Sequence, residues 1–214
     1  MSKYLIGYID EQKGEQLDFS NLMEEDEDFS VCNFNVNEDS DIEELLEEVL
    51  NSKIDCLVVD YHLSETGVPF EGSTVIEEFH KIKPYFPKII YTAKEDKVIP
   101  EVDNEIIYLI NDKEIKGDEK RGKNFRLKLK TLIINYQNDV VNHNKILEEL
   151  SLKRKTEVLT MSEENALFES KQFLMKLDTR KIDLPSVVNN KDYIEQLEAV
   201  NKKVDDILNE MRNV

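Results

Sequence analysis

Apolar and polar positions along this chain follow two different rhythms, and the rhythm changes near residue 118. Before that point, short apolar runs are framed abruptly by acids. Tyr4-Leu-Ile-Gly-Tyr-Ile9 stops at Asp10-Glu11, and Asp55-Cys-Leu-Val-Val-Asp60 is four apolar residues between two aspartates. Such runs predict strands buried on both faces, as in a parallel sheet. Strands are predicted over 3–9, 29–36, 55–60, 88–92 and 106–110. Between them, a weak helical pattern covers 13–27. Helix 41–51 carries Ile42, Leu45, Leu46, Val49 and Leu50 on one face, with Ser40 or Asp39 as its cap. Helix 73–82 carries Val75, Ile76 and Phe79, and is stopped by Pro84 and Pro87. The glycines and proline of 64–72 predict an irregular loop. Residues 95–104 give the poorest pattern, because Pro100 interrupts any long helix there.

From Asp118 the strand signal vanishes. Phe125, Leu129, Leu132, Tyr136, Val140, Leu147 and Leu150 recur at helical spacing, and residues 163–177 form a second amphipathic piece. Pro185 and Asn189-Asn190 break the pattern. Ile194, Leu197, Asn201, Val204, Leu208 and Met211 then step by three and four, a short heptad seam. An intramolecular helical hairpin and a homodimer seam both satisfy that spacing. The expectation is therefore a domain over 1–117 and a helical extension over 118–214.

Strands alternating with helices imply right-handed crossovers and a doubly wound α/β sheet. With 214 residues, 40% of them hydrophobic, the chain can hold one such domain plus an extension. No apolar stretch approaches the roughly 20 residues of a membrane span. The amino-terminal residues run straight into a strand without the layout of a signal peptide, so a cytoplasmic location is expected. Two cysteines, Cys32 and Cys56, fall on separate predicted strands and make no disulfide framework. The net charge of −18 is uneven: residues 1–117 hold 29 acids and 10 bases, a balance of −19, leaving +1 for the rest. An acidic half and a neutral half without a basic stripe disfavour nucleic acid as a partner.

In open α/β sheets, chemistry collects at the carboxyl ends of the strands. There the sequence places Asp10 and Glu11 after the first strand, Asp60 at the end of the third, Thr92 after the fourth and Lys113 after the fifth. Taken singly, an acid at a strand end is a solvated terminus or a turn cap, and a lone lysine is surface. The five together, in this order, resemble the receiver domain of bacterial response regulators, the phosphorylatable module of two-component signalling. The glycine-led helix beginning Gly72-Ser-Thr-Val-Ile also matches. The resemblance covers about residues 1–117 and implies a five-stranded parallel sheet of order 2-1-3-4-5.

Three carboxylates at one edge repel unless a cation joins them. Mg²⁺ takes oxygen ligands and binds through a few carboxylates plus phosphate oxygens. The resemblance implies Mg²⁺ on Asp10, Glu11 and Asp60, with the backbone carbonyl of His62 as a further ligand. The His62 side chain is expected exposed near the site. Asp60 would be the carboxylate nucleophile that takes a phosphoryl group. Lys113 would supply a cation, and Thr92 a hydroxyl that closes on the phosphate.

The departures from that family are specific. Its proline and glycine after the third-strand aspartate arrive late here, at Pro69 and Gly72, as though about four residues were inserted in 64–71. Lys113 precedes Glu114 rather than proline, and Ile110 stands where the family has an aromatic switch residue. The reading that follows is a response-regulator-like signalling protein, phosphorylated by a histidine kinase or phosphotransfer protein. Its helical output would act on a downstream protein partner. Its rival is a phosphorylation-independent scaffold or accessory subunit of a larger assembly. A phosphate-metabolising α/β enzyme is a third option, without an evident cap over the site. The tail shows no phosphate loop, metal-spaced His/Cys set or nucleophile with a base beside it, so no enzymatic output is expected.

Overall fold

The computed structural model describes residues 4–92, 109–112 and 118–179. The described residues belong to one compact unit, Met1–Thr179. The heptad seam of 194–211 and residues 95–104 lie outside the described residues.

Five strands, β1 (Tyr4–Asp10), β2 (Phe29–Asn35), β3 (Cys56–Asp60), β4 (Lys88–Thr92) and β5 (Leu109–Asp112), form one sheet. Their order is β2-β1-β3-β4-β5, and all four pairings are parallel. Helices α1 (Lys13–Glu24), α2 (Ile42–Asn51) and α3 (Gly72–Ile82) are the crossovers, and two more, α4 (Glu119–Lys153) and α5 (Met161–Met175), follow the sheet. Every residue of β3 and β4 is buried, as continuous apolar runs require.

Strand alternation sends successive side chains into two cores. Ile9, Leu57, Val59 and Ile90 pack with Leu45, Leu46 and Val49 of α2 and Val75, Ile76 and Phe79 of α3. Tyr8, Cys56, Val58, Ile89 and Tyr91 pack on the other face with Phe19 and Met23 of α1 and Phe125, Leu129 and Ile133 of α4. Each fully buried side chain of this size contributes about 1.5–3 kcal/mol relative to exposure. Cys56 is buried, Cys32 half-buried, and both are free thiols.

Three local expectations are corrected. The cap of α2 is Asp41, whose carboxylate accepts from the backbone N–H of Glu43 and Glu44, rather than Ser40 or Asp39. A side-chain oxygen serves these orphan donors best from the residue just before the first turn. The 64–72 loop is not wholly irregular: Leu63–Thr66 forms a 3-10 turn anchored by the buried Leu63 and closed by Gly67 at φ 97°. Only glycine takes that backbone conformation without strain. The fifth strand ends later than expected. Its described part is Leu109–Asp112, with Asn111 opposite Tyr91 and Asp112 opposite Thr92, so backbone pairing continues past the apolar run that ends at Ile110.

The long helix α4 starts at the cap Asp118, whose carboxylate accepts from the Arg121 N–H at 3.0 Å. Its first third lies on the sheet. Arg126, 7% exposed, donates to the Leu22 carbonyl and to Glu25, at 2.5 and 2.8 Å, and Lys130 pairs with Asp28. The remainder forms an antiparallel hairpin with α5. Thr160 and Glu163 make a capping box at the start of α5, and Lys153 pairs with Glu163 at 2.6 Å across the turn. Further along, His143 meets Ser170 at 3.0 Å and stacks on Phe173. Phe173 also stacks on Tyr85, in the loop between α3 and β4, and Thr179 donates to the Lys81 carbonyl at 3.0 Å. Up to residue 179, the extension therefore folds back on the sheet domain.

Candidate metal centre

The acidic edge follows from strand register. Ile9 pairs with Val59, so the next residues, Asp10 and Asp60, stand abreast at the carboxyl ends of β1 and β3. Asp60 pairs with Tyr91, which puts Thr92 one residue further along β4. One oxygen from each of Asp10, Glu11 and Asp60 lies within 4.8 Å of the others. Asp10 and Thr92 are fully buried, and Asp60 is 4% exposed.

Local geometry fixes Asp10 on several sides. The Tyr8 hydroxyl donates to Oδ2 at 2.6 Å and the Gln12 backbone N–H donates to Oδ1 at 2.9 Å. Gln16, one turn into α1, donates its Nε2 proton to the Asp10 carbonyl at 2.7 Å. Burial, and the Asp10 and Asp60 charges near it, hold the Tyr8 phenol far above its ordinary range. It therefore stays a donor at any physiological pH.

The donor set fits a hard divalent cation. Three carboxylates from two strand ends supply oxygen ligands, the preference of Mg²⁺. Glu11 uses Oε1 to accept from Gln12 at 3.0 Å, whereas its Oε2 is buried with no hydrogen-bond partner. A buried carboxylate oxygen in that condition is costly unless a ligand completes it.

His62 is not exposed as expected. Its side chain is 22% exposed, its ring lies edge-on to Tyr61, and Nδ1 sits 3.6 Å from Glu65. The imidazole nitrogens are not among the ligand atoms that converge with Asp10 and Asp60. Lys113 lies outside the described residues; in sequence it follows Asp112, whose register partner is Thr92. The structure thus brings Asp10, Glu11 and Asp60 together and sets Thr92 on the adjoining strand.

Three contributors escaped the sequence reading: Tyr8, Gln16 and the close contact of Gly72 with Asp60. Tyr8 was within reach, since a residue two before a strand-end acid shares its face. Gln16 gave no signal beyond its helical spacing.

No known protein-family profile matches the chain, and no curated protein matches it. Solved structures do. A signal receiver domain of an HD domain-containing protein from Pseudomonas fluorescens superposes with a TM-score of 0.50 at 18% identity, covering 64% of this chain and 92% of that one. NtrX from Brucella abortus superposes with a TM-score of 0.51 at 14% identity, over 70% of this chain and 34% of that one. The chain thus spans about a third of the length of NtrX. At these identities the likeness is one of fold, and the fold is that of a receiver domain.

Proposed function

We propose that this chain is a response-regulator-like signalling protein whose Asp60 accepts a phosphoryl group in a Mg²⁺-dependent reaction. The observation that carries the reading is the convergence of Asp10, Glu11 and Asp60 within 4.8 Å at one sheet edge, with Glu11 Oε2 left unpartnered. Asp10, Glu11 and Asp60 would hold the cation, with the His62 backbone carbonyl as a further ligand, and the bound ion would supply charge neutralisation for the incoming phosphoryl oxygens. An Asp60 oxygen attacks phosphorus, the bond to the donor's leaving atom breaks, and that atom (the imidazole nitrogen of a phosphohistidine, or the carboxylate oxygen of acetyl phosphate) departs with the electron pair. Thr92 then donates its hydroxyl to the new phosphate, and Lys113 balances its charge.

The chemistry is confined to phosphorylation and dephosphorylation of Asp60. Its donor is a histidine kinase or phosphotransfer protein, and the output is protein–protein interaction of the helical extension, including self-association. Neither nucleic acid nor membrane is a partner in this reading. Among the described residues no helix is long and apolar enough to cross a membrane.

A phosphorylation-independent scaffold or accessory subunit is the second reading. The burial of Asp60 and Thr92 favours it, because a donor must reach that carboxylate. Incubation with Mg²⁺ and acetyl phosphate separates the two. A mass gain of one phosphoryl group in the wild type, absent in Asp60→Asn and in the presence of EDTA, is expected. An unmodified wild type whose spectrum is also unchanged by beryllofluoride leaves the scaffold.

A further inference from the structure

The hydroxyl of Tyr8 meets a site carboxylate, while its ring belongs to a wall of aromatic side chains that ends on the long helix. Tyr8 stacks on Phe19 of α1 with centroids 4.0 Å apart and 17° between planes. It also meets Tyr91 of β4 edge-on at 6.2 Å. Tyr91 stacks on Phe125 of α4 at 5.5 Å and 19°, and Phe19 meets Phe125 edge-on at 6.2 Å. Each of the four rings is almost completely buried. Tyr91 directly precedes Thr92, so two of the candidate site residues adjoin this wall: Asp10 through the Tyr8 hydroxyl and Thr92 through the backbone.

We infer that Tyr8 is a positioning residue: its hydroxyl sets the Asp10 carboxylate for the cation, and its ring ties the acidic pocket to Phe125 of α4. The inference rests on the reading that the pocket takes Mg²⁺. A carboxylate that shares its charge with a divalent ion attracts the phenol proton less. The 2.6 Å bond should therefore weaken when the cation is bound. A close-packed ring cannot shift without its neighbours, because cores interdigitate at crystal-like density. Phe19, Tyr91 and Phe125 thus have to accommodate any displacement of Tyr8. Phe125 lies nearly two turns inside α4, which continues into the hairpin that would carry the output. Residues that orient a metal ligand in this way typically alter metal affinity 10–100-fold when changed.

The test uses the full chain with Tyr8→Phe, which keeps the ring, and Phe125→Leu, which keeps an apolar core residue. Three readouts are followed: Mg²⁺ affinity by calorimetry, the Mg²⁺-induced tyrosine difference spectrum, and hydrogen exchange over 119–133 with and without Mg²⁺ and beryllofluoride. Tyr8→Phe is expected to lower affinity by about tenfold and to remove the difference spectrum. Phe125→Leu should keep the affinity and lose the ligand-dependent change in exchange along α4. Were Tyr8 only a core tyrosine with a satisfied hydroxyl, Tyr8→Phe would lower stability yet keep wild-type affinity per folded molecule, and the inference would be overturned. A Phe125→Leu response identical to wild type removes the link to α4. A wild type that binds no Mg²⁺ brings down the proposed function itself, a result distinct from either.

Discussion

Gly72 stands directly against the backbone of Asp60: a β-carbon at position 72 would lie 1.9 Å from the Asp60 carbonyl oxygen and 2.8 Å from its carbon. The Gly72 N–H also donates to the Tyr61 carbonyl at 3.0 Å. The first residue of α3 is thereby fixed to the exit of β3, at the residue proposed to accept the phosphoryl group. Gly72→Ala is expected to push α3 or Asp60 aside and to cost about 1–3 kcal/mol, the range for overpacking. Urea denaturation measures the loss, and acetyl phosphate labelling should fall with it. Thr74→Ala, on the exposed side of the same helix, is the control, with a change within about 0.5 kcal/mol. Equal behaviour of the two variants would show that the site tolerates a shift of α3.

Arg126 holds α4 to the α1–β2 corner. Its guanidinium is nearly buried and bonds both the Leu22 carbonyl and Glu25, although Glu25 is half exposed and its share is screened by water. Arg126→Ala leaves the carbonyl without its donor and should cost about 2 kcal/mol in thermal or urea unfolding. Hydrogen exchange over 119–133 should rise by more than at the sheet. An unchanged exchange pattern would mean that Phe125, Leu129 and Ile133 dock the helix without the ion pair.

The hairpin carries its own acid sensitivity. The Lys153 ammonium, with the Thr160 backbone and hydroxyl, holds the Glu163 carboxyl down at about 2, from an ordinary 4.5. A carboxylate with a depressed folded value contributes stability above its unfolded value and loses it as pH falls through the folded one. The contribution is therefore full above about pH 4.5 and fades toward pH 2. Because Glu163 is solvated, the effect is small and reads out locally. Helicity monitored by circular dichroism between pH 5 and 2 should fall more steeply for wild type than for Glu163→Gln. Parallel curves would assign the acid transition to other carboxylates.

Phe173 joins the hairpin to the sheet domain, sandwiched between Tyr85 at 4.6 Å and His143 at 4.2 Å. Phe173 and Tyr85 also border a cavity of about 240 Å³ with Phe86, Leu132 and Tyr136. Phe173→Ala should loosen α5 and expose the 154–160 turn to limited proteolysis, at a cost of about 2 kcal/mol because the ring is only half-buried. Phe168→Ala, an exposed ring on the same helix, should leave the cleavage rate unchanged. Matching rates for the two variants would show that the Tyr85 contact does not fasten the hairpin.

Much of the sheet domain was legible because burial on both faces leaves little choice. Leu57-Val-Val59 and Ile89-Ile-Tyr91, rich in β-branched residues and apolar or aromatic at every position, read as inner strands, and both are fully buried. The order of the acids along the chain pointed to Asp10, Glu11 and Asp60, which the register sets together. The end of the fifth strand was not legible because pairing with β4 runs on through Asn111 and Asp112, and a hydrogen-bonded ladder uses backbone groups that carry no side-chain signature. The exposure of His62 was misjudged because an aromatic neighbour, Tyr61, covers its ring.

Local periodicity was enough to place most elements and the two faces of each strand, and the direction of parallel strands sends Asp10, Glu11 and Asp60 to one rim once β1 and β3 are neighbours. It takes the packed fold to show that Tyr8 reaches Asp10, that Gly72 lies on the Asp60 carbonyl, and that α5 returns to place Phe173 on Tyr85. Those contacts join residues whose side chains meet through packing between layers. Packing depends on the shapes of several neighbours at once, which no spacing along one chain encodes.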